Sequence, residues 1–416
     1  MKEGWEIIDL GSVCHVQRGL TYSGKDTVDI SDQVVLRATN IDLGTGKLIF
    51  DELKYLREDL EIKPVYALKK DSLLICFSSG SKSHLGKIAL VDDDYPNFFF
   101  GGFIGQINPS EKIDSKYLFY CLSSETYKDY ISNLTDGVNI NNLKATDLKS
   151  FQIPLPPLPE QQRIVSILDE AFAAIAKAKA NAEQNLKNAK ELFESYLQGV
   201  FENGNWETKT IQEITKVVNG YAFASKDFKP TNTVKSVKIT NVGVKEFVEE
   251  ADNYLPEKFK ETLKDFQVKE GNIVIALTRT IISAGLKVAV VPASYDGALV
   301  NQRVAALVPN EKLVNQNFLY FYLTTSGVAK YVLEHVNTLM QPNLSINDLK
   351  NMPVPCPPLK DQQTIVRQLD ALRAETQKLE AVYQKKIADL EELKKSILQK
   401  AFKGELTESK IKEPCV

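Results

Sequence analysis

Residues 153–165 read IPLPPLPEQQRIV, and residues 354–366 read VPCPPLKDQQTIV. The two stretches lie 201 positions apart and align without a gap. Each has a mechanical meaning. Proline cannot sit inside a helix, and it pushes the residue before it into extended conformations. Pro154 to Pro159 is therefore expected to be a stiff extended lead-in. Pro159 or Glu160 then opens a helix, with Glu160, or Asp361 in the second copy, placed against the positive N-terminal dipole.

No Gly or Pro follows until Gly199 in one copy and Gly404 in the other. In the second copy Ile365, Leu369, Leu372, Thr376, Leu379, Tyr383, Lys386, Leu390, Leu393 and Ile397 step by fours and threes. That is a heptad seam of a coiled coil, broken at Lys386, where Ile387 takes over locally. The first copy carries Ile164, Leu168, Ile175, Leu186, Phe193 and Tyr196 on a similar stripe, and is rich in alanine between Ala171 and Ala189. Alanine lets helix axes approach closely, so the two helices are expected to pair antiparallel. At about 40 residues and 1.5 Å per residue each would span roughly 60 Å.

The repeat runs through the whole chain. Trp5 faces Trp206, and these are the two tryptophans of the protein. Gly19 faces Gly220, Lys25-Asp26 faces Lys226-Asp227, and RATNI at Arg37 faces KITNV at Lys238. DSLLICF at Asp71 faces GNIVIAL at Gly271, one residue short of the 201 offset, which YLFYCL at Tyr117 and FLYFYL at Phe318 then recover. Each half thus has a Trp-led start, a strand-rich body, a Pro-rich hinge and a long polar helix. The short apolar runs, followed by helical stretches near 115–133 and 316–335, predict an α+β class with a mostly antiparallel sheet and helices to one side. The expected architecture is two tandem similar domains, each followed by a long helix, with the pair of helices packed antiparallel about a pseudo-two-fold axis. The expected segments are 1–152, 153–202, 203–353, 354–404 and a tail at 405–416.

Composition sets limits. The chain has 416 residues, 43% hydrophobic and 25% charged, as in an ordinary soluble protein. Its start, MKEGWEIIDLG, has no apolar signal region, and no run approaches the ~20 apolar residues of a membrane span. Cys14, Cys76, Cys121, Cys356 and Cys415 form no CxxC and are odd in number, which points to reduced thiols in a cytoplasm. His15, His84 and His335 are far apart, and no metal site is expected. Asp92-Asp93-Asp94 reads as a solvated turn. No phosphate-cradling loop, GxGxxG, Gly-x-Ser-x-Gly or His-Glu-x-x-His is present, so no catalytic constellation emerges.

The doubled PPL-x-[ED]-QQ-x-IV phrase, each time after an Asp-Leu-Lys segment, resembles the DNA-specificity subunit of type I restriction–modification systems. The resemblance covers essentially the whole chain. It implies that each body is a target-recognition domain reading one half of an asymmetric bipartite sequence in double-stranded DNA. The helices would space the domains and dock methyltransferase subunits, two of them, with a restriction subunit as a further partner. This chain would bind no cofactor. S-adenosylmethionine and Mg-ATP would belong to the partners, and the chain alone would be no enzyme.

Family position and side-chain chemistry together nominate the DNA-contacting residues. They lie first in the loops after the LLICF and IVIAL strands: Ser78, Ser79, Ser81, Lys82 and His84, and Thr278, Arg279 and Thr280. Asn301, Gln302 and Arg303 join them, with Arg37 and Lys238 before the Thr-Asn pairs, and Gln341 and Asn343 before the hinge. A local basic patch of Arg18, Lys25, Arg37, Lys82, His84 and Lys87 is expected on the first body, with Lys226 as the counterpart of Lys25. Arg279 suits the guanine O6 and N7 edge. Charge opposes tight binding by the chain alone. Residues 1–150 carry 17 basic and 22 acidic groups, while residues 203–352 carry 17 and 15. The rival readings are a coiled-coil scaffold that binds proteins, which the acidic first body favours, and an enzyme such as a nuclease, which the missing constellation disfavours.

Overall fold

The computed structural model describes residues 4–135, 142–250, 253–336 and 343–406. It divides into two compact units, Met1–Ala182 with Lys385–Val416, and Glu183–Gln384. Each unit holds one strand-rich body and part of each long helix.

The first half runs β1 (Glu6–Asp9), β2 (Cys14–Arg18), β3 (Thr27–Val28), β4 (Gln33–Leu36), β5 (Lys54–Leu56), β6 (Leu73–Cys76), β7 (Ile88–Leu90), β8 (Phe98–Phe100) and β9 (Ile104–Pro109). Helices α1 (Ser115–Cys121), α2 (Glu125–Thr135) and α3 (Ala145–Lys149) follow, then β10 (Gln152–Leu155) and the long α4 (Leu158–Asn203). The second half runs β11 (Thr208–Thr210), α5 (Ile211–Ile214), β12 (Thr215–Asn219), β13 (Ser236–Val237), α6 (Phe259–Thr262), β14 (Ile273–Ala276), β15 (Ile281–Ile282), β16 (Gly285–Leu286), β17 (Val288–Val290), β18 (Leu299–Val300) and β19 (Val304–Pro309). It closes with α7 (Gln316–Leu323), α8 (Ser326–His335), α9 (Ile346–Asn351), β20 (Pro353–Pro355) and α10 (Leu359–Lys403).

The same four-stranded antiparallel sheet forms in both bodies, ordered β2-β9-β6-β7 and β12-β19-β14-β17. Its centre is the continuous apolar run of β6 or β14, buried on both faces, as a strand sandwiched between two layers must be. Alternate residues serve different cores. Leu73 and Ile75 pack with Tyr117, Leu118, Ile131 and Leu168 of the helices. Leu74 and Cys76 pack with Val34, Leu36 and Phe100 of a second sheet, β3-β5-β4-β8. Helices on one side are thus as expected, but the other face is covered by strands rather than solvent. Within that second layer β4 and β8 pair in parallel, as do β13 and β18.

The repeated phrase earns its place at the junction of body and helix. The lead-in is a β-strand rather than a free extended segment, since β10 pairs with β1 and β20 pairs with β11. Helices α4 and α10 begin at Leu158 and Leu359, a residue before the expected start, with Pro159 accommodated in the first turn, where its missing N–H removes no bond. Gln161 and Gln362 are fully buried. Gln161 Oε1 accepts from the Asp114 amide at 2.8 Å, and its Nε2 donates to the carbonyls of Lys112 (3.1 Å) and Pro156 (2.8 Å). Gln362 repeats this with the Asn315 amide (2.7 Å) and the carbonyls of Leu313 (3.0 Å) and Pro357 (2.7 Å). Asp114 and Asn315 are also the N-caps of α1 and α7, accepting from Tyr117 and Phe318 amides. Tyr117 and Tyr322 add hydroxyl bonds to the carbonyls of Pro154 and Pro353.

The long helices pack antiparallel. In the first unit Arg163 reaches the carbonyl of Leu406, and Lys179 pairs with Glu391 at 2.6 Å. In the second, the Arg373 guanidinium lies 4.4 Å over Phe321 and 5.4 Å over Phe193. Ala182 and Ala189 are buried, as is Thr376. The seam is less complete than the heptad implies, since Leu379 and Leu393 are 40% and 43% exposed.

Gln161→Ala or Gln362→Ala leaves one amide and two carbonyls without their partner. Each variant is expected to lose about 2–5 kcal/mol of stability in its own unit, read by denaturant titration or by the lowered midpoint of one thermal transition.

Candidate nucleic-acid interface

The strand ends that carry the nominated loops meet at one end of each four-stranded sheet. In the first body these are the end of β2, the end of β6 and the start of β9. The chain can turn there only because backbones approach closely. A Cβ on Gly19 would lie 2.2 Å from the Gly101 carbonyl oxygen, and one on Gly220 would lie 1.9 Å from that of Asn301. This explains why glycine recurs at these two positions.

Arg18 ends β2. Its guanidinium sits 4.8 Å over the Phe77 ring and donates to the Leu143 carbonyl at 2.9 Å and to Asn142 Oδ1 at 3.4 Å. Ser78 donates to the same Asn142 oxygen at 2.9 Å, and the backbones of Ser78 and Asn142 bridge. The amides of Phe77 and Ser78 both donate to the carbonyl of Phe103. Ser79, Ser81, Lys82 and the half-buried His84 follow on the same loop, where Lys82–His84 forms a 3-10 turn.

The second body matches this frame. Thr278 bridges Asn343, the Leu344 amide donates to Leu277, and the Leu277 amide donates to the Arg303 carbonyl at 2.8 Å. Arg279, Gln302, Arg303 and Asn343 are exposed, and Asn301 is half-buried. Arg279 has a φ of 49°, in the left-handed region that costs a non-glycine residue strain.

Two nominated residues leave the set. Lys87 is buried and donates from Nζ to the Ile41 carbonyl at 2.8 Å, tying the loop after β4 to β7. Burial pushes its ammonium below the usual lysine range. Lys287 makes the equivalent bond to Ile239. Thr280 is fully buried, with its carbonyl holding the Lys287 amide. Lys and Thr carry long or hydroxylated side chains that sequence alone places at the surface.

The remaining basic positions are distributed more widely. Lys25 and Lys226 are exposed on 3-10 turns, Gly24–Asp26 and Ser225–Asp227, with no side-chain hydrogen bond to the loop cluster among the described residues. Arg37 is half-buried and reaches the Glu52 carbonyl at 3.3 Å, while Lys238 lies 4.8 Å over the Phe228 ring. The asparagine of each Thr-Asn pair is structural. Buried Asn40 and Asn241 each accept from the amide three residues earlier and donate to two loop carbonyls. Gln341 lies outside the described residues.

Sequence reasoning missed Asn142, Phe103 and Tyr221. Asn142 is the repeat counterpart of Asn343, and that signal was available. Phe103 is 69% exposed and Tyr221 40% exposed, both at this same end of the sheet. Among the described residues no group of three or more His, Cys, Asp or Glu could hold a metal ion. No described helix is long and apolar enough to cross a membrane.

The sequence model of the family described as "Type I restriction modification DNA specificity domain" matches residues 2–187 and again 203–391. The EcoKI specificity subunit of Escherichia coli K12 is 28% identical over 98% of this chain and 90% of its own length. The MjaVIII specificity subunit of Methanocaldococcus jannaschii is 24% identical over 97% and 93%. Two solved structures share the fold. A chain from a type I R-M system has a TM-score of 0.75 at 20% identity, covering 98% of this chain and 99% of its own. The HsdS subunit from Thermoanaerobacter tengcongensis has a TM-score of 0.62 at 19% identity, covering 98% of each.

The division between frame and loop is testable. Asn241→Ala is expected to cost about 2–4 kcal/mol, because buried loop carbonyls lose their donor. Arg279→Gly relieves the positive φ and is expected to leave the melting midpoint unchanged or slightly raised, by calorimetry.

Proposed function

The chain belongs to the type I restriction–modification DNA-specificity family, whose members are non-catalytic subunits, and we propose that it reads an asymmetric, two-part DNA target for a methyltransferase complex. One observation carries this reading. Two copies of one four-stranded frame present different polar side chains from the same sheet end, around an asparagine common to both (Asn142 and Asn343): Arg18 and Ser78 in one body, Thr278, Gln302 and Arg303 in the other. Amide, hydroxyl and guanidinium groups are those that match base edges in the major groove. The shared four-stranded sheet gives both bodies one docking mode, and different side chains give them different half-sites.

The antiparallel helices serve as the spacer and as the docking element for two methyltransferase subunits. Leu192, Tyr196, Leu379 and Val382 are exposed on them and offer apolar contact to such a subunit. S-adenosylmethionine and Mg-ATP act on partner subunits in this scheme, a restriction subunit is a further partner, and the complex works in the cytoplasm. The net charge of −5 over residues 1–150 limits what the chain does alone. Phosphate contacts supply much of DNA affinity, so the partners must add them. That same charge is the feature favouring a protein-binding scaffold instead.

Selection from random duplex DNA separates the two. The purified complex with its methyltransferase partner is expected to enrich a gapped, two-part, asymmetric motif. Its log affinity should fall with log salt by about 0.9 for each phosphate neutralised, and the isolated chain should bind weakly. A complex that enriches no motif, or an isolated chain that binds tightly with a shallow salt slope, contradicts the proposal.

A further inference from the structure

Phe103 is the most exposed phenylalanine among the described residues, at 69%, while Phe77, whose amide bonds its carbonyl, and Phe100, three residues earlier, are fully buried. Its ring makes no aromatic contact among the described residues. The backbone around it is fixed by four hydrogen bonds that recur in the second body around Arg303. The Phe77 amide donates to the Phe103 carbonyl at 2.9 Å, and the Leu277 amide to that of Arg303 at 2.8 Å. The Ile104 amide donates to Gly101 and the Val304 amide to Asn301, both at 2.9 Å. The Gly19 and Gly220 amides donate to Ile104 and Val304, and those of Leu20 and Tyr221 to Phe100 and Val300. Phe103 and Arg303 therefore leave the two frames from the same point. Arg303 is exposed, and its guanidinium makes no hydrogen bond or ion pair among the described residues.

One frame position thus carries an apolar ring in one body and a free cation in the other. The major groove offers a partner for each: the thymine C5-methyl is its apolar feature, and guanine O6 with N7 is the acceptor pair that a guanidinium takes bidentately. We propose that Phe103 contacts a thymine methyl in the half-site of the first body, and that Arg303 contacts the guanine edge at the equivalent place in the other half-site. The asymmetry of the target would then arise in part at this single position. The inference rests on the DNA-reading function proposed above, and assigns the base chemistry within it.

The test uses the complex with its methyltransferase partner and the duplex that it selects. Each thymine of one half-site is replaced in turn by uracil, which removes only the methyl group. One such replacement is expected to weaken wild-type binding by about 3–10-fold and to have no further effect on the Phe103→Ala complex. Phe103→Leu, which keeps an apolar contact, should retain part of the uracil sensitivity. In the other half-site, 7-deazaguanine at one guanine should weaken the wild type by about 10-fold and leave Arg303→Ala unaffected. A half-site lacking thymine overturns the proposal. So does uracil replacement that has no effect or adds fully to Phe103→Ala, and so does a Phe103→Ala loss without uracil sensitivity. In all these cases the wild type still selects a motif, so DNA reading itself stands. A wild type that selects none overturns both.

Discussion

A buried glutamine amide holds each half of this protein together. Gln161 and Gln362 sit in the first turn of a long helix and bond to three backbone groups of the body and hinge. A side-chain amide offers one acceptor and two donors, and here all three are used. The body's own helices α1 and α7 start at the residues whose amides the glutamines accept, so one contact sets both the helix start and its angle of departure. Each body is thereby tied to the start of the long helix that follows it.

Rigid frame and variable edge are separated by residue type. The frame uses apolar strands buried on both faces, glycines where backbones touch, and buried or half-buried Asn and Lys side chains that bond loop carbonyls. The edge uses exposed Ser, Thr, Asn, Gln, Arg and one phenylalanine. The edge can change with little cost to stability, because surface substitutions are usually within ±0.5 kcal/mol. Under the proposed function, a shared four-stranded frame with different edges would give two readers of different sequence on one scaffold.

Much of this was legible in the sequence, for identifiable reasons. The repeat survives in Trp5 and Trp206, and also in the glycine pair and the proline-glutamine phrase, each of which serves a backbone or junction constraint that both halves share. The two-faced burial of β6 was hidden, since a continuous apolar run does not say what covers its second face. Polarity places Lys87 and Thr280 at the surface, yet both are buried, Lys87 on a loop carbonyl. Phe103 was missed for the opposite reason, because a phenylalanine within FFFGGFIG reads as core. Leu379 and Leu393 belong to the heptad by spacing yet stay exposed, which spacing alone does not resolve.

The most direct test is to map DNA methylation by single-molecule sequencing in cells that express the methyltransferase partner, with and without this gene. The account predicts an N6-methyladenine mark at a gapped, two-part, asymmetric motif that disappears when the gene is removed. Methylation that is unchanged by the gene's removal, or a gene-dependent mark at a single undivided site, would contradict it.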